Sequence, residues 1–209
     1  MTDRSILNEQ NEGGFVSTLT VRRFILITNL ITKTLTIFTK FMLLRFEKKE
    51  DIKGIHSVHV ESFETDQEAK LVDDLRLGDL DLISLVAEEN QKIIGHLLFS
   101  PVFLDSNIKI KMMGLAPLAI LPTYQNRGIG TLLVRKGLDV CVQKKIQSIV
   151  VLGDPKFYSR FGFESSVNYS IRSDFNVNPE VFQIKELEKG VFQGFAGIVK
   201  YNDRFNQLL

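Results

Sequence analysis

Apolar residues recur along this chain with two periods, and the switches between them mark out its elements. Met42-Leu43-Leu44-Arg45-Phe46-Glu47 has the pattern of a short strand. From Lys49 to Phe63 the period is helical, and a second helix covers Asp66–Leu77 and stops at Gly78. Leu82–Ala87 and Ile93–Phe103 read as strands joined by the polar turn Glu88–Gln91, which makes them a hairpin. Lys109–Leu121 is the third strand of that meander. Ile129–Val142 is an amphipathic helix, and Ser148–Leu152 after it is a short buried strand. A short helix at Pro155–Phe161 precedes late strands at Phe163–Ile171, Val181–Leu187 and Ala196–Tyr201, the last two joined by the turn Glu188-Lys189-Gly190. Strands, one crossover helix, then more strands predict an α/β (α+β) domain, three layers α/β/α on a mixed sheet.

The domain is drawn from Met42 onward, over residues 42–209. Residues 1–41 are an extension with two readings. Met42 is the true start and the stretch a mis-called upstream extension, or Ile27, Leu30, Ile31, Thr34, Phe38 and Phe41 form one face of a loosely attached helix. Either way the stretch is expected to be dispensable. Phe24–Leu44 is apolar, yet Lys33, Lys40, Asn29 and five threonines interrupt it, which argues against a spanning helix. Arg22-Arg23 has no small-residue cleavage site behind it, so a signal peptide is rejected as well.

The chemistry is concentrated in the turn Gln125-Asn126-Arg127-Gly128-Ile129-Gly130, which opens a helix directly after a strand. The first amides of a helix lack intrahelical partners, and the helix dipole is positive there. Glycines let the phosphates of a ligand approach that backbone. A Walker loop is absent, and a dinucleotide fingerprint fails because Leu133 stands where its third glycine belongs. The pattern Gln/Arg-x-x-Gly-x-Gly/Ala is filled at each defined place by Gln125, Gly128 and Gly130. Before the turn, Pro117 lies inside a buried strand and cannot donate to a ladder, so it marks an edge, a bulge or a splay. After it come Gly153-Asp154-Pro155 and Phe157-Tyr158-Ser159-Arg160-Phe161-Gly162-Phe163.

With these motifs in this order, the chain from about Met42 to its C-terminus resembles the GNAT superfamily of N-acetyltransferases. It is similar in particular to a compact bacterial subgroup that shares Ser84-Leu85-Val86-Ala87-Glu88, Gly95-His96, Ala116-Pro117-Leu118-Ala119-Ile120 and Leu152-Gly153-Asp154-Pro155. The resemblance implies a mixed, mostly antiparallel central sheet and acetyl-CoA as co-substrate, and the sequence shows no metal-ligand spacing, so no metal is expected. It implies that the backbone of Leu118, Ala119 and Ile120 runs beside the pantetheine arm. It also implies that Gln125, Asn126, Arg127, Gly128, Ile129, Gly130 and Thr131 hold the pyrophosphate.

Direct transfer to an amine sets the demand for proton handling. A lysine-like amine has a pKa near 10.4, so at pH 7 freeing its lone pair costs about 4–5 kcal/mol unless a group removes the proton. The resemblance puts Tyr158 on the family's acid. Family members often carry a glutamate on the strand that corresponds to Lys109–Leu121, and this strand has no carboxylate. His96, with the right ordinary pKa, is the candidate base. Glu61, Glu64 and Asp66, where the first two helices meet, are candidates for drawing in a cationic amine.

Composition narrows the rest. Lys plus Arg (26) nearly cancel Asp plus Glu (25) among 209 residues, which gives no electrostatic case for nucleic acid. The one cysteine, Cys141, cannot pair within the chain, which suits a reducing cytoplasm, and reads as an apolar packing residue. His56 and His59 lack a third ligand nearby and read as partly exposed helix residues. The expected partner is a small-molecule or peptide amine, with no nucleic acid and no membrane, and a homodimer is left open. The alternative is a non-catalytic acyl-CoA-binding sensor on the same fold, supported by the missing strand carboxylate.

Overall fold

The computed structural model describes residues 42–106 and 109–208. Residues 1–41, and the expectations placed on them, lie outside the described residues. The strands are β1 (Met42–Phe46), β2 (Ile83–Glu89), β3 (Lys92–Leu104), β4 (Met112–Ile120), β5 (Ser148–Leu152), β6 (Glu164–Ser165), β7 (Ile171–Ser173), β8 (Phe182–Glu186) and β9 (Gly197–Lys200). The helices are α1 (Ile52–Ser62), α2 (Gln67–Leu77), α3 (Ile129–Gln143) and the single turn α4 (Pro155–Tyr158).

The sheet runs β1-β2-β3-β4-β5-β8-β6, antiparallel at each step except the parallel pair β4–β5. β9 pairs with the far end of β3 and with β7. The β2–β3 hairpin closes on Asn90 and Gln91, with φ of 52° and 63°. Two successive left-handed residues match the twist of the flanking strands, and asparagine tolerates that conformation well. Both strands therefore run further into the turn than polarity alone suggests.

Alternation along β3 decides which layer each helix joins. His96 meets His59 of α1 on one face. Leu97 and Phe99 point the other way, onto Gly137 of α3. On α3 the residues Leu133, Val134, Gly137, Leu138 and Cys141 are buried, while Arg135, Lys136 and Asp139 face out. That stripe of period 3.6 is why the segment is a helix and why it lies flat on the sheet, each buried leucine contributing roughly 1.5–3 kcal/mol. Cys141 is fully buried and packs as expected, its thiol pushed up to about 12 by burial.

Two readings need correction. Phe163–Ile171 is not one strand: it is the two-residue β6, a 3-10 turn at Ser166–Tyr169, and Ser170 in the left-handed region with φ 56°. The backbone reverses there, and β7 joins β9 instead of continuing beside β8. His59, taken for a partly exposed helix residue, is fully buried, whereas His56 is partly exposed and lies 2.7 Å from Asp73. Among the described residues no helix is long and apolar enough to cross a membrane.

Candidate active site

β4 and β5 pair over only three positions, Met112↔Ser148, Met113↔Ile149 and Gly114↔Val150. Beyond Gly114 they part. On its other side β4 stays paired with β3 as far as Ile120↔Gly95, with a bulge in which Leu98 opposes both Ala116 and Pro117. Pro117 is thus accommodated where the ladder is already irregular, and it follows a cis peptide bond. The parting leaves one edge of β4 free and opens a cleft of about 790 Å³.

One end of this cleft is the glycine turn. Gly128 caps α3 with φ 80°, which an L side chain adopts only at a cost. Asn126 is also left-handed, with φ 59°. The resulting turn aims the unpaired first amides of α3 into the opening. The Ile120 carbonyl accepts from Gln125 Nε2 at 3.0 Å and from Ser62 Oγ at 2.9 Å, fixing the strand end to both the turn and α1. Of the residues expected here, Leu118, Ile120, Gln125, Asn126, Gly128, Ile129, Gly130 and Thr131 line the cleft. Ala119 is buried behind the wall, as alternation requires. Arg127 is exposed and lies over the Tyr124 ring, 5.1 Å from its centroid. The cation in the wall is instead Arg160, 4.9 Å from the Phe157 centroid.

Tyr158 stands across the cleft, at the end of α4. Asp154 caps that turn by accepting from the Lys156 amide at 2.9 Å, and Pro155 occupies the first helical position, where no amide is required. Gly153 lies so close to the ring that a Cβ there would sit 2.4 Å from Tyr158 Cε2. The sequence Gly153-Asp154-Pro155 therefore seats this one side chain. Phe157 and Phe163 pack on the ring edge-to-face at 4.9 and 5.7 Å. Burial pushes the phenol up to about 12, so it is protonated at neutral pH and can act as a donor.

His96 does not reach the cleft. It is fully buried, and both ring nitrogens are engaged. Arg76 Nε donates to Glu47 Oε1 at 2.6 Å, and Ser84 Oγ donates to Glu47 Oε2. A carboxylate accepts only, so the Ser84 oxygen is left to accept from His96 Nε2 at 2.8 Å. His96 Nδ1 is then an acceptor and takes the Nε2 proton of His59, also at 2.8 Å. Both imidazoles are thus neutral Nε2–H tautomers. Burial lowers both pKa values, that of His59 to about 2, with His96 and Arg76 adding to the effect on His59. Burial would raise the Glu47 carboxyl, but His96, Arg76 and Ser84 outweigh it and bring the group to about 2. The direct base role expected of His96 is corrected on this ground: it is sealed from substrate, and the pair belongs to the fold.

The buried pair sets an acid limit. As pH falls through 6.5 the unfolded chain's two histidines take up protons that the buried pair resists, so stability is full above that range and falls as pH drops below it. His59 alone gives a slope of about 1.4 kcal/mol per pH unit, and His96 adds to it in the same direction. The urea midpoint should therefore be lower at pH 5.5 than at pH 7.5, by the equivalent of about 1.4 kcal/mol from His59 with a further loss from His96, and His59→Gln should shrink the difference. Equal midpoints at the two pH values would show that the histidines titrate normally.

None of Glu61, Glu64 and Asp66 lines the cleft; Asp66 pairs with Lys70 at 2.8 Å. Two acidic residues do line it: Asp154, which is engaged in capping α4, and Glu68, in the first turn of α2. The Glu68 Oε2 is buried and has no hydrogen-bond partner among the described residues. Sequence reasoning missed it, although it is only two residues from Asp66. Among the described residues no group of three or more His, Cys, Asp or Glu is placed to hold a metal ion.

The sheet is thus opened between two strands, with a glycine-capped helix at one end of the cleft and a seated phenol opposite. The acetyltransferase (GNAT) family model matches residues 50–163. The uncharacterized N-acetyltransferase YhbS of Escherichia coli K12 is 37% identical over 167 residues, which cover 79% of this chain and 99% of that protein. The crystal structure of Escherichia coli YhbS in complex with CoA superposes with a TM-score of 0.76 at 37% identity, over 80% of this chain and 93% of that one. A GNAT family acetyltransferase from Brucella melitensis, solved with acetyl-CoA, gives 0.66 at 30% identity over 79% and 99%. The chain belongs to the GNAT acetyltransferase family and is an acyltransferase of the N-acetyltransferase class.

Proposed function

We propose that the protein moves an acetyl group from acetyl-CoA directly to an amine of a small molecule or peptide, within a ternary complex in the cytoplasm. The parting of β4 from β5 carries this reading, because it supplies an added-strand site for an amide-bearing arm and leads it from the turn to Tyr158. The residues present fit the cofactor. The free edge at Leu118–Ile120 suits the pantetheine amides, and the amides of Gly128–Thr131 suit the pyrophosphate. Arg160 offers a charge along the same wall. When bound, acetyl-CoA supplies the activated acyl group as a thioester. The chain's part is to align the carbonyl against the β4 backbone, keep water out with apolar walls, and donate from Tyr158 Oη toward the sulfur as charge develops there. The non-catalytic sensor drew its support from a missing carboxylate, and Glu68 in the cleft removes that ground.

A thermal-shift titration tests the donor half. CoA at a hundredfold excess over its Kd should add about 2.7 kcal/mol. No response to CoA beside a clear response to NAD or ATP would sink the assignment. Release of free CoA from acetyl-CoA across a panel of amines then identifies the acceptor.

A further inference from the structure

Glu68 stands out because one of its carboxylate oxygens is buried and has no partner among the described residues, whereas Asp66 and Asp73, near either end of the same helix, are paired. Asp66 is held by Lys70 at 2.8 Å, and Asp73 by Arg76 and His56. Glu68 is in the cleft wall with Phe63, Leu115, Tyr158 and Leu208, and its Oε2 is buried without a partner among the described residues. A buried acceptor left unmatched costs about 1–3 kcal/mol, and more when it is charged. Such a group persists where a ligand completes it, and the surroundings say which kind. Phe63, Leu115 and Leu208 give that wall apolar surface and a carboxylate only accepts, so the missing partner is a donor carrying positive charge on an apolar stem.

We infer that Glu68 receives the acceptor as a primary aliphatic ammonium and takes its proton, in place of the carboxylate that β4 lacks. The assignment rests on the transfer reading above. The ammonium gives one proton to a Glu68 oxygen, which passes it to solvent. The freed lone pair forms the N–C bond to the acetyl carbon, and the C–S bond breaks with its electron pair left on sulfur. The nitrogen's second surplus proton is balanced by the one that ends on sulfur, through Tyr158, which donates its phenolic proton and regains another. Ammonium plus thioester thus become amide, thiol and one released proton. Amines that carry their charge at neutral pH gain most from Glu68. Weakly basic aromatic amines arrive neutral with the lone pair already free, and the one proton their nitrogen sheds after attack is balanced by the one that ends on sulfur.

The test is Glu68→Gln, which keeps the shape and removes the charge, assayed with the best aliphatic amine of the CoA-release panel and with its aniline analogue. At pH 7, kcat/KM for the aliphatic amine should fall about 10²-fold, and that for the aniline should stay within about threefold. The CoA-dependent thermal shift should be unchanged. If the glutamine variant loses that shift, Glu68→Asp takes its place and should retain the preference for the aliphatic amine. Equal losses on both amines, or none on either, would overturn the role of Glu68. Wild-type protein that binds CoA yet transfers to no amine would instead overturn the transfer reading itself.

Discussion

Replacing Gly130 by valine should abolish CoA binding in a protein that still folds. Gly130 is in the first turn of α3 and in the cleft wall. A Cβ there would meet Phe157 Cζ at 3.7 Å, and Ile120 Cγ1 and Leu118 Cδ2 at 3.8 Å, all ordinary contact distances. The fold therefore tolerates the first carbon, while the two γ-methyls of valine must enter the space a pyrophosphate needs. Valine costs a helix well under 1 kcal/mol relative to alanine, too little to unfold the domain. The expected readout is loss of the roughly 2.7 kcal/mol that saturating CoA adds, with the urea midpoint of the free protein nearly unchanged. Gly128→Val should also abolish binding, but for a different reason. A Cβ at Gly128 has nothing within 4 Å, yet φ is 80°, so the substitution deforms the turn and destabilises the protein as well. Normal CoA affinity in folded Gly130→Val would leave the turn a purely structural element.

Tyr158→Phe should lower kcat about 10²-fold, equivalent to about 2.7 kcal/mol of barrier, with CoA affinity nearly unchanged. The ring is the part held by Gly153, Phe157 and Phe163, and phenylalanine keeps it. Only the proton is lost. A phenol raised to about 12 is a weak acid beside a thiol of about 8.5, so its value lies in a hydrogen bond to sulfur that strengthens as the C–S bond breaks. The loss should therefore fall on kcat rather than on KM. Full turnover in this variant would reduce Tyr158 to a packing aromatic.

The contrast between these residues and Glu68 shows what the sequence could carry. The turn was legible because strand, glycines and helix are consecutive, and local order alone fixes where the amides point. Ser148–Leu152 and α3 were legible from period alone. Glu68 was not, because two residues rotate a helix by about 200°, so Asp66 and Glu68 face different ways and only the docked helix says which faces the cleft. The burial of His59 depends on His96, 37 residues away across a helix–sheet contact that no spacing announces. Phe163–Ile171 misled because its residues suit a strand, while Ser170 and the pull of β9 break it.

The three residue pairs that join β4 to β5 have a mechanical consequence. They divide the sheet into two jaws hinged at Met112–Gly114, with Leu118 and the glycine turn on one and Tyr158 on the other. Gly114 is the last rung, and the Tyr201 ring closes over it so tightly that a Cβ would stand 2.8 Å from Cε1. The distance between the acyl-bearing wall and the proton donor is therefore set at this joint, away from the reacting atoms. A wedge as small as one methyl at Gly114 would be felt as misalignment of the catalytic groups.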